Sequence, residues 1–78
     1  MLTRYIGRAM KKAVYKILND GQYFGEIPGL RGVWANGRSL DACRNELQEV
    51  LEEWLVLKLR NQDPIPKISG IDLNLKAA

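Results

Sequence analysis

With 78 residues, 46% of them hydrophobic and 27% charged, the chain has room for one small domain and not for two. It contains one cysteine and no histidine, which excludes an intrachain disulfide and nearly excludes a structural zinc site, because a single thiol cannot fill the tetrahedral set. Twelve Lys and Arg against nine Asp and Glu give a net charge of +3; no apolar run approaches the roughly 20 residues that span a bilayer, and the lone thiol with no secretion signal fits a reducing cytoplasm.

A domain of this size buries only about 60% of the surface its unfolded chain exposes. Small folds commonly add a disulfide, a metal or a second copy of themselves. With the first two removed, self-association is the expected device. The charge is also segregated. Arg4, Arg8, Lys11, Lys12 and Lys16 precede the first acid, Asp20, whereas Asp41, Glu46, Glu49, Glu52 and Glu53 face one base, Arg44.

Taken in chain order, residues 2–10 (LTRYIGRAM) set Leu2, Tyr5, Ile6, Ala9 and Met10 near one face at helical spacing. Gly7 weakens this helix by about 1 kcal/mol relative to alanine, so it is expected to persist only when docked. A hairpin follows: Val14, Tyr15 and Ile17 are strand formers, Asn19, Asp20 and Gly21 are a tight-turn signal, and residues 22–27 return. Pro28 and Gly29 suit the two central positions of a type II turn. A third strand is predicted over residues 32–35, closed by Asn36 and Gly37.

Ser39 is a good N-cap and Asp41 stands favourably near the positive end of the helix dipole. The helix is predicted to run to about Arg60, with Leu40, Cys43, Leu47, Val50, Leu51 and Trp54 on the stripe that faces the sheet. Pro64 and Pro66 cannot continue it. Ile71, Leu73 and Leu75 then alternate with polar residues as a last strand. The expected architecture is α+β: a short N-terminal helix, then βββαβ, with one long helix packed on a small, mainly antiparallel sheet. Residues 1–12 form a basic helical segment and residues 13–76 the domain proper.

Little catalytic chemistry is present. Histidine, the commonest general base and metal ligand, is missing. Cys43 lies on the apolar stripe, where a buried structural thiol is expected rather than an activated nucleophile. Asp20 and Glu26 are the only carboxylate pair near the hairpin, and Asp20 occupies a turn tip where aspartate is common anyway. No glycine loop suits a phosphate. The chain is therefore expected not to be an enzyme, and to need no cofactor or metal.

Binding surfaces are better supported. Leu55, Val56 and Leu59 drift to the side of the helix away from Leu47, Leu51 and Trp54. Either the proline-containing return segment covers them or they form a self-association surface, for which a sheet edge is the other candidate. Glu46, Glu49, Glu52 and Glu53 are either a solvated helix face or a surface that steers a basic partner. The basic head, Arg4, Arg8, Lys11 and Lys12, offers a nucleic-acid contact instead, and Tyr23, Phe24 and Trp34 could stack bases.

The ordered set YFGEIPGLRGVWANGRSLDACRNELQEVLEEWL…DPIP resembles the HicB family of toxin–antitoxin antitoxins over roughly residues 13–75. The matching features are an aromatic strand ending in IPGL and a glycine, a short strand, a Ser-capped helix with EVLEEWL, and the Pro-Ile-Pro exit. The resemblance implies a reduced ribonuclease H-like fold without catalytic carboxylates. It also implies a partner, a small basic HicA-type toxin that cleaves mRNA and is neutralised by protein contacts, often within a dimer or larger assembly. Three features depart from the family pattern. Only Lys76, Ala77 and Ala78 follow the last strand, so no DNA-binding segment is expected. Ala42 stands where an acid often completes a capping box. The net charge is positive, which leaves the acidic helix as the surface for a basic toxin. The expectation is a cytoplasmic, non-enzymatic antitoxin and homo-oligomer, with a nucleic-acid-binding module or an orphan structural oligomer as the alternatives.

Overall fold

In the computed structural model, which describes residues 2–68, the N-terminal segment is helical as α1 (Leu2–Lys11). It leads into β1 (Val14–Ile17) and β2 (Tyr23–Glu26), which pair antiparallel with Val14 opposite Glu26 and Ile17 opposite Tyr23. The turn between them closes through the Leu18 N–H to the Gln22 carbonyl at 2.7 Å and the Gly21 N–H to the Leu18 carbonyl at 2.9 Å. Asp20 Oδ1 accepts from the Gln22 N–H at 3.0 Å. The turn signal at Asn19, Asp20 and Gly21 is thus realised as a three-residue turn, with Gly21 at φ 84°.

Two consecutive four-residue turns fold the IPGLRGV segment. The Leu30 N–H bonds the Ile27 carbonyl at 3.1 Å with Gly29 at φ 89°, and the Val33 N–H bonds the Leu30 carbonyl at 3.3 Å with Gly32 at φ 83°. Pro28 supplies the fixed φ of the first turn, and both glycines take the left-handed angle that a side chain resists. An Ile27 N–H to Val33 carbonyl bond at 3.2 Å closes the loop, and Ile27, Leu30 and Val33 are all buried.

The third strand, β3 (Trp34–Gly37), lies two residues later than expected, with Asn36 opposite Phe24 and Gly37 opposite Tyr23. Asn36 and Gly37 are strand, not turn. Gly37 is glycine for closeness: a Cβ there would stand 2.7 Å from Cys43 Cα and 2.9 Å from the Ala42 carbonyl carbon. The sheet order is β1-β2-β3.

α2 (Leu40–Asn61) starts as expected. Ser39 is extended at φ −135° and its Oγ accepts from the Ala42 N–H at 3.1 Å. Ser39→Ala is expected to cost about 1 kcal/mol in urea denaturation, because no acid at position 42 shares the capping. At the other end Gln62 is left-handed at φ 56°; its N–H bonds the Leu59 carbonyl at 3.3 Å, and the Asp63 N–H bonds that of Lys58 at 2.9 Å. These are the two bonds of a Schellman stop, with Pro64 just beyond.

Cys43, Leu47, Leu51 and Leu55 repeat every four residues and are buried. They meet the inner face of the sheet and a cluster made by Tyr5 and Ala9 of α1, Ile27, Leu30, Val33 and Ala35, and Ile65 and Ile68 of the return segment. Leu40, expected on the stripe, is instead exposed in its first turn. The Tyr5 hydroxyl donates to the Pro66 carbonyl at 2.6 Å and so ties α1 to the return segment. The strand expected at Ile71, Leu73 and Leu75 lies outside the described residues. The α+β arrangement of helix, three antiparallel strands and long helix is the one the sequence predicts.

Candidate interaction surfaces

The burial of Cys43 decides its chemistry. Its thiol donates to the Ala35 carbonyl at 3.5 Å, it is fully buried, and burial pushes its pKa up. A protonated, enclosed thiol is a poor nucleophile, and Cys43 is expected to react with an aromatic disulfide reagent only as fast as the domain opens. Burial also raises Tyr5, and raises Tyr15 with a smaller contribution from Cys43 against an opposing one from Arg44. These three groups hold their protons more tightly folded than unfolded. As pH rises through about 9–10 the unfolded chain releases protons first, so the stabilisation is present below that range and is lost above it. The urea midpoint is expected to fall between about pH 9 and 11, and less steeply in Tyr5→Phe, which costs about 1 kcal/mol at neutral pH through the lost bond to Pro66.

Asp20 and Glu26 are not a pair: Asp20 is at the hairpin tip, where it binds the Gln22 N–H, and Glu26 ends β2. Among the described residues no three His, Cys, Asp or Glu side chains are grouped to hold a metal, and no helix is long and apolar enough to cross a membrane.

Three surfaces remain. On α2, Glu46, Glu49, Glu52 and Glu53 are all exposed. At 100° per residue Glu46, Glu49 and Glu53 form one row opposite the Leu47–Leu51 stripe, with Glu52 at its flank. Gln48 Nε2 donates to Glu52 Oε2 at 3.3 Å, which holds that carboxylate against the helix. Val56 (53% exposed) and Leu57 (54%) extend the acidic row at its C-terminal end.

The expected self-association set does not survive as a set. Leu55 is 1% exposed and belongs to the core, and Leu59 packs half-buried against it. Only Val56 is free to meet a partner. The return segment with Ile65 and Ile68 closes that flank of the core, which was the alternative the sequence left open.

On α1, Arg4, Arg8, Lys11 and Lys12 are exposed. Arg4, Arg8 and Lys11 follow one another at i, i+4, i+7, on the side away from buried Tyr5 and Ala9.

The outer face of the sheet is exposed at Val14, Lys16, Glu26, Trp34 and Asn36. Because strand residues alternate, the pairing of Val14 with Glu26 and of Lys16 with Phe24 puts Val14, Lys16, Phe24, Glu26, Trp34 and Asn36 on the side away from α2. Phe24 and Trp34 stack with ring centroids 6.0 Å apart and 26° between planes, and Lys16 Nζ lies 5.2 Å from the Phe24 centroid. Of the three aromatics expected to stack bases, Phe24 and Trp34 come together and Tyr23 turns to the other face. Val14, Lys16 and Glu26 were not singled out by the sequence as a surface. Their alternation was visible, but which parity faced outward depended on the register.

The profile of the UPF0150-like family matches residues 4–66, from the first turn of α1 into the return segment. This chain belongs to the UPF0150-like family. The crystal structure of TTHA0281 from Thermus thermophilus is similar to it over 97% of this chain and 95% of that one, with a TM-score of 0.90 and 42% sequence identity. No match is found among curated proteins. All three surfaces lie inside the span that the UPF0150-like profile covers, so each is built on the family's own framework rather than on an addition to it.

Proposed function

We propose that this UPF0150-like domain is a non-enzymatic, cytoplasmic antitoxin of the HicB kind, and that the outer face of α2 receives a small basic HicA-type ribonuclease toxin. The observation that carries the reading is the exposed row Glu46, Glu49 and Glu53, with Glu52 beside it and Val56 and Leu57 beyond. Carboxylates on a rigid helix steer a cationic partner, and the two apolar side chains give the encounter something to bury. The enclosed thiol and the absence of histidine support a binding protein over a catalyst. The features shared with HicB proteins, the IPGL turn, the Ser-capped helix and the Pro-Ile-Pro exit, support the class of partner.

The test is rescue. A small basic protein retained by the tagged chain through a high-salt wash is expressed alone, where it should arrest growth, and the chain should reverse the arrest. Glu49→Lys with Glu53→Lys should weaken the complex at least about tenfold and abolish reversal. Both positions are exposed, so stability should change by no more than about 0.5 kcal/mol. Undiminished rescue by the double variant would remove this face from the interface. The exposed basic row of α1 supports a second reading, nucleic-acid binding. It predicts retained nucleic acid that is lost with salt and on deletion of residues 1–12.

A further inference from the structure

We infer that the outer face of the sheet is a self-complementary contact between two copies of this chain. Among the described residues nothing packs on this face, since α2 and the core occupy the other side of the sheet. It carries Val14 (49% exposed), Trp34 (53%) and the half-buried Phe24, three apolar side chains grouped on one side of three strands of four residues each.

Its charges identify the occupant. Val14 stands opposite Glu26, and Lys16 opposite Phe24. These four outward side chains make a rectangle, about 4.8 Å across the strands and about 6.7 Å along them. Lys16 and Glu26 hold one pair of opposite corners; Val14 and Phe24 hold the other. A two-fold axis along the Val14–Phe24 diagonal therefore sets Lys16 of each copy on Glu26 of the other. It also sets Val14 and Phe24 near their own mates, as an isologous contact requires. The strands of the two sheets then cross at about 70°, nearer the orthogonal class of sheet packing than the aligned one.

Other occupants fit less well. Glu26 is flanked in register by Val14 and Trp34, so its carboxylate lies beside the exposed indole and repels a phosphate backbone that would stack a base there. A basic toxin gains little from a face with one charge of each sign. This contact is independent of the partner read for α2, because the two surfaces lie on opposite sides of the sheet. Six outward side chains are fewer than a standard interface of about 800 Å² per partner uses, so association in the micromolar range is expected.

The experiment uses the full chain in sedimentation velocity across the micromolar range. Lys16→Glu and Glu26→Lys should each weaken dimerisation at least about tenfold, by bringing like charges together across the interface. An equimolar mixture of the two variants should associate as the wild type does. In each mixed dimer the two acids of one copy face the two lysines of the other, so both contacts regain opposite charges. In a Trp54→Phe background the Trp34 emission should shift to the blue as the dimer forms. A monomeric wild type, single variants that dimerise normally, or a mixture that stays dissociated would each overturn the inference. So would a monomer whose Trp34 emission responds instead to single-stranded RNA in a salt-sensitive way, which would assign the face to nucleic acid.

Discussion

Gly37→Ala is expected to destabilise the domain by about 3 kcal/mol or more, seen as a large drop in urea midpoint, although it adds one methyl group. The added Cβ would meet Cys43 Cα at 2.7 Å and the Ala42 carbonyl carbon at 2.9 Å. These are backbone atoms in the first turn of α2, and they cannot swing aside as the end of a side chain can. To admit the methyl, the start of α2 must lift from β3. That movement pulls Cys43 from the Ala35 carbonyl and loosens the Leu47 contact one turn on. Overpacking of a rigid contact usually costs about 1–3 kcal/mol, and the upper end applies where neither partner can relax.

Two other glycines calibrate this. A Cβ at Gly25 would approach the Tyr15 ring at 2.8 Å and Cys43 Sγ at 3.1 Å, which are side-chain atoms that can yield. Gly25→Ala should therefore cost less than Gly37→Ala. Gly7 in α1 has nothing within 4 Å of its Cβ position. Gly7→Ala is expected to stabilise the domain by about 1 kcal/mol through helix propensity alone. Three identical substitutions thus spread from stabilising to strongly destabilising, and the order follows from what stands beside each Cα. If Gly37→Ala cost no more than Gly25→Ala, the close seating of α2 on β3 would be wrong.

The same residue shows where local sequence reasoning stopped. Asn36 followed by Gly37 is chemically a good turn, and nothing within a few residues argues otherwise. What turns it into strand is α2, whose first turn needs a residue without a side chain beneath it. The Ser39 cap, the hairpin tip and the Pro28–Gly29 turn were legible because their chemistry is satisfied by neighbours in sequence. The acidic row on α2 was legible for the same reason: helical spacing alone places Glu46, Glu49 and Glu53 together. The Lys16–Glu26 diagonal was not, since it exists only once β1 and β2 are paired in a definite register.

Leu55→Ala should cost about 3–4 kcal/mol, and Val56→Ala, its neighbour, no more than about 0.5 kcal/mol. The contrast separates two accounts of the end of α2. If Leu55 and Val56 shared an outer apolar patch, both truncations would leave monomer stability nearly unchanged and both would weaken association. The structure instead buries Leu55 to 1% and leaves Val56 at 53%. The cause lies in helix geometry. Each step of four residues turns the stripe by about 40°, so the line from Cys43 through Leu47 and Leu51 to Leu55 rotates by about 120° around the helix. A wheel centred on Leu47 and Leu51 therefore places Leu55 off the stripe. The core turns with it, because Tyr5 of α1 and Ile65 and Ile68 of the return segment join the cluster that receives Leu55. A small sheet cannot cover a helix of 22 residues by itself, and the N-terminal helix and the proline exit complete the cover. An equal, small effect of the two substitutions on the urea midpoint would mean that α1 and the return segment do not close over this end of α2.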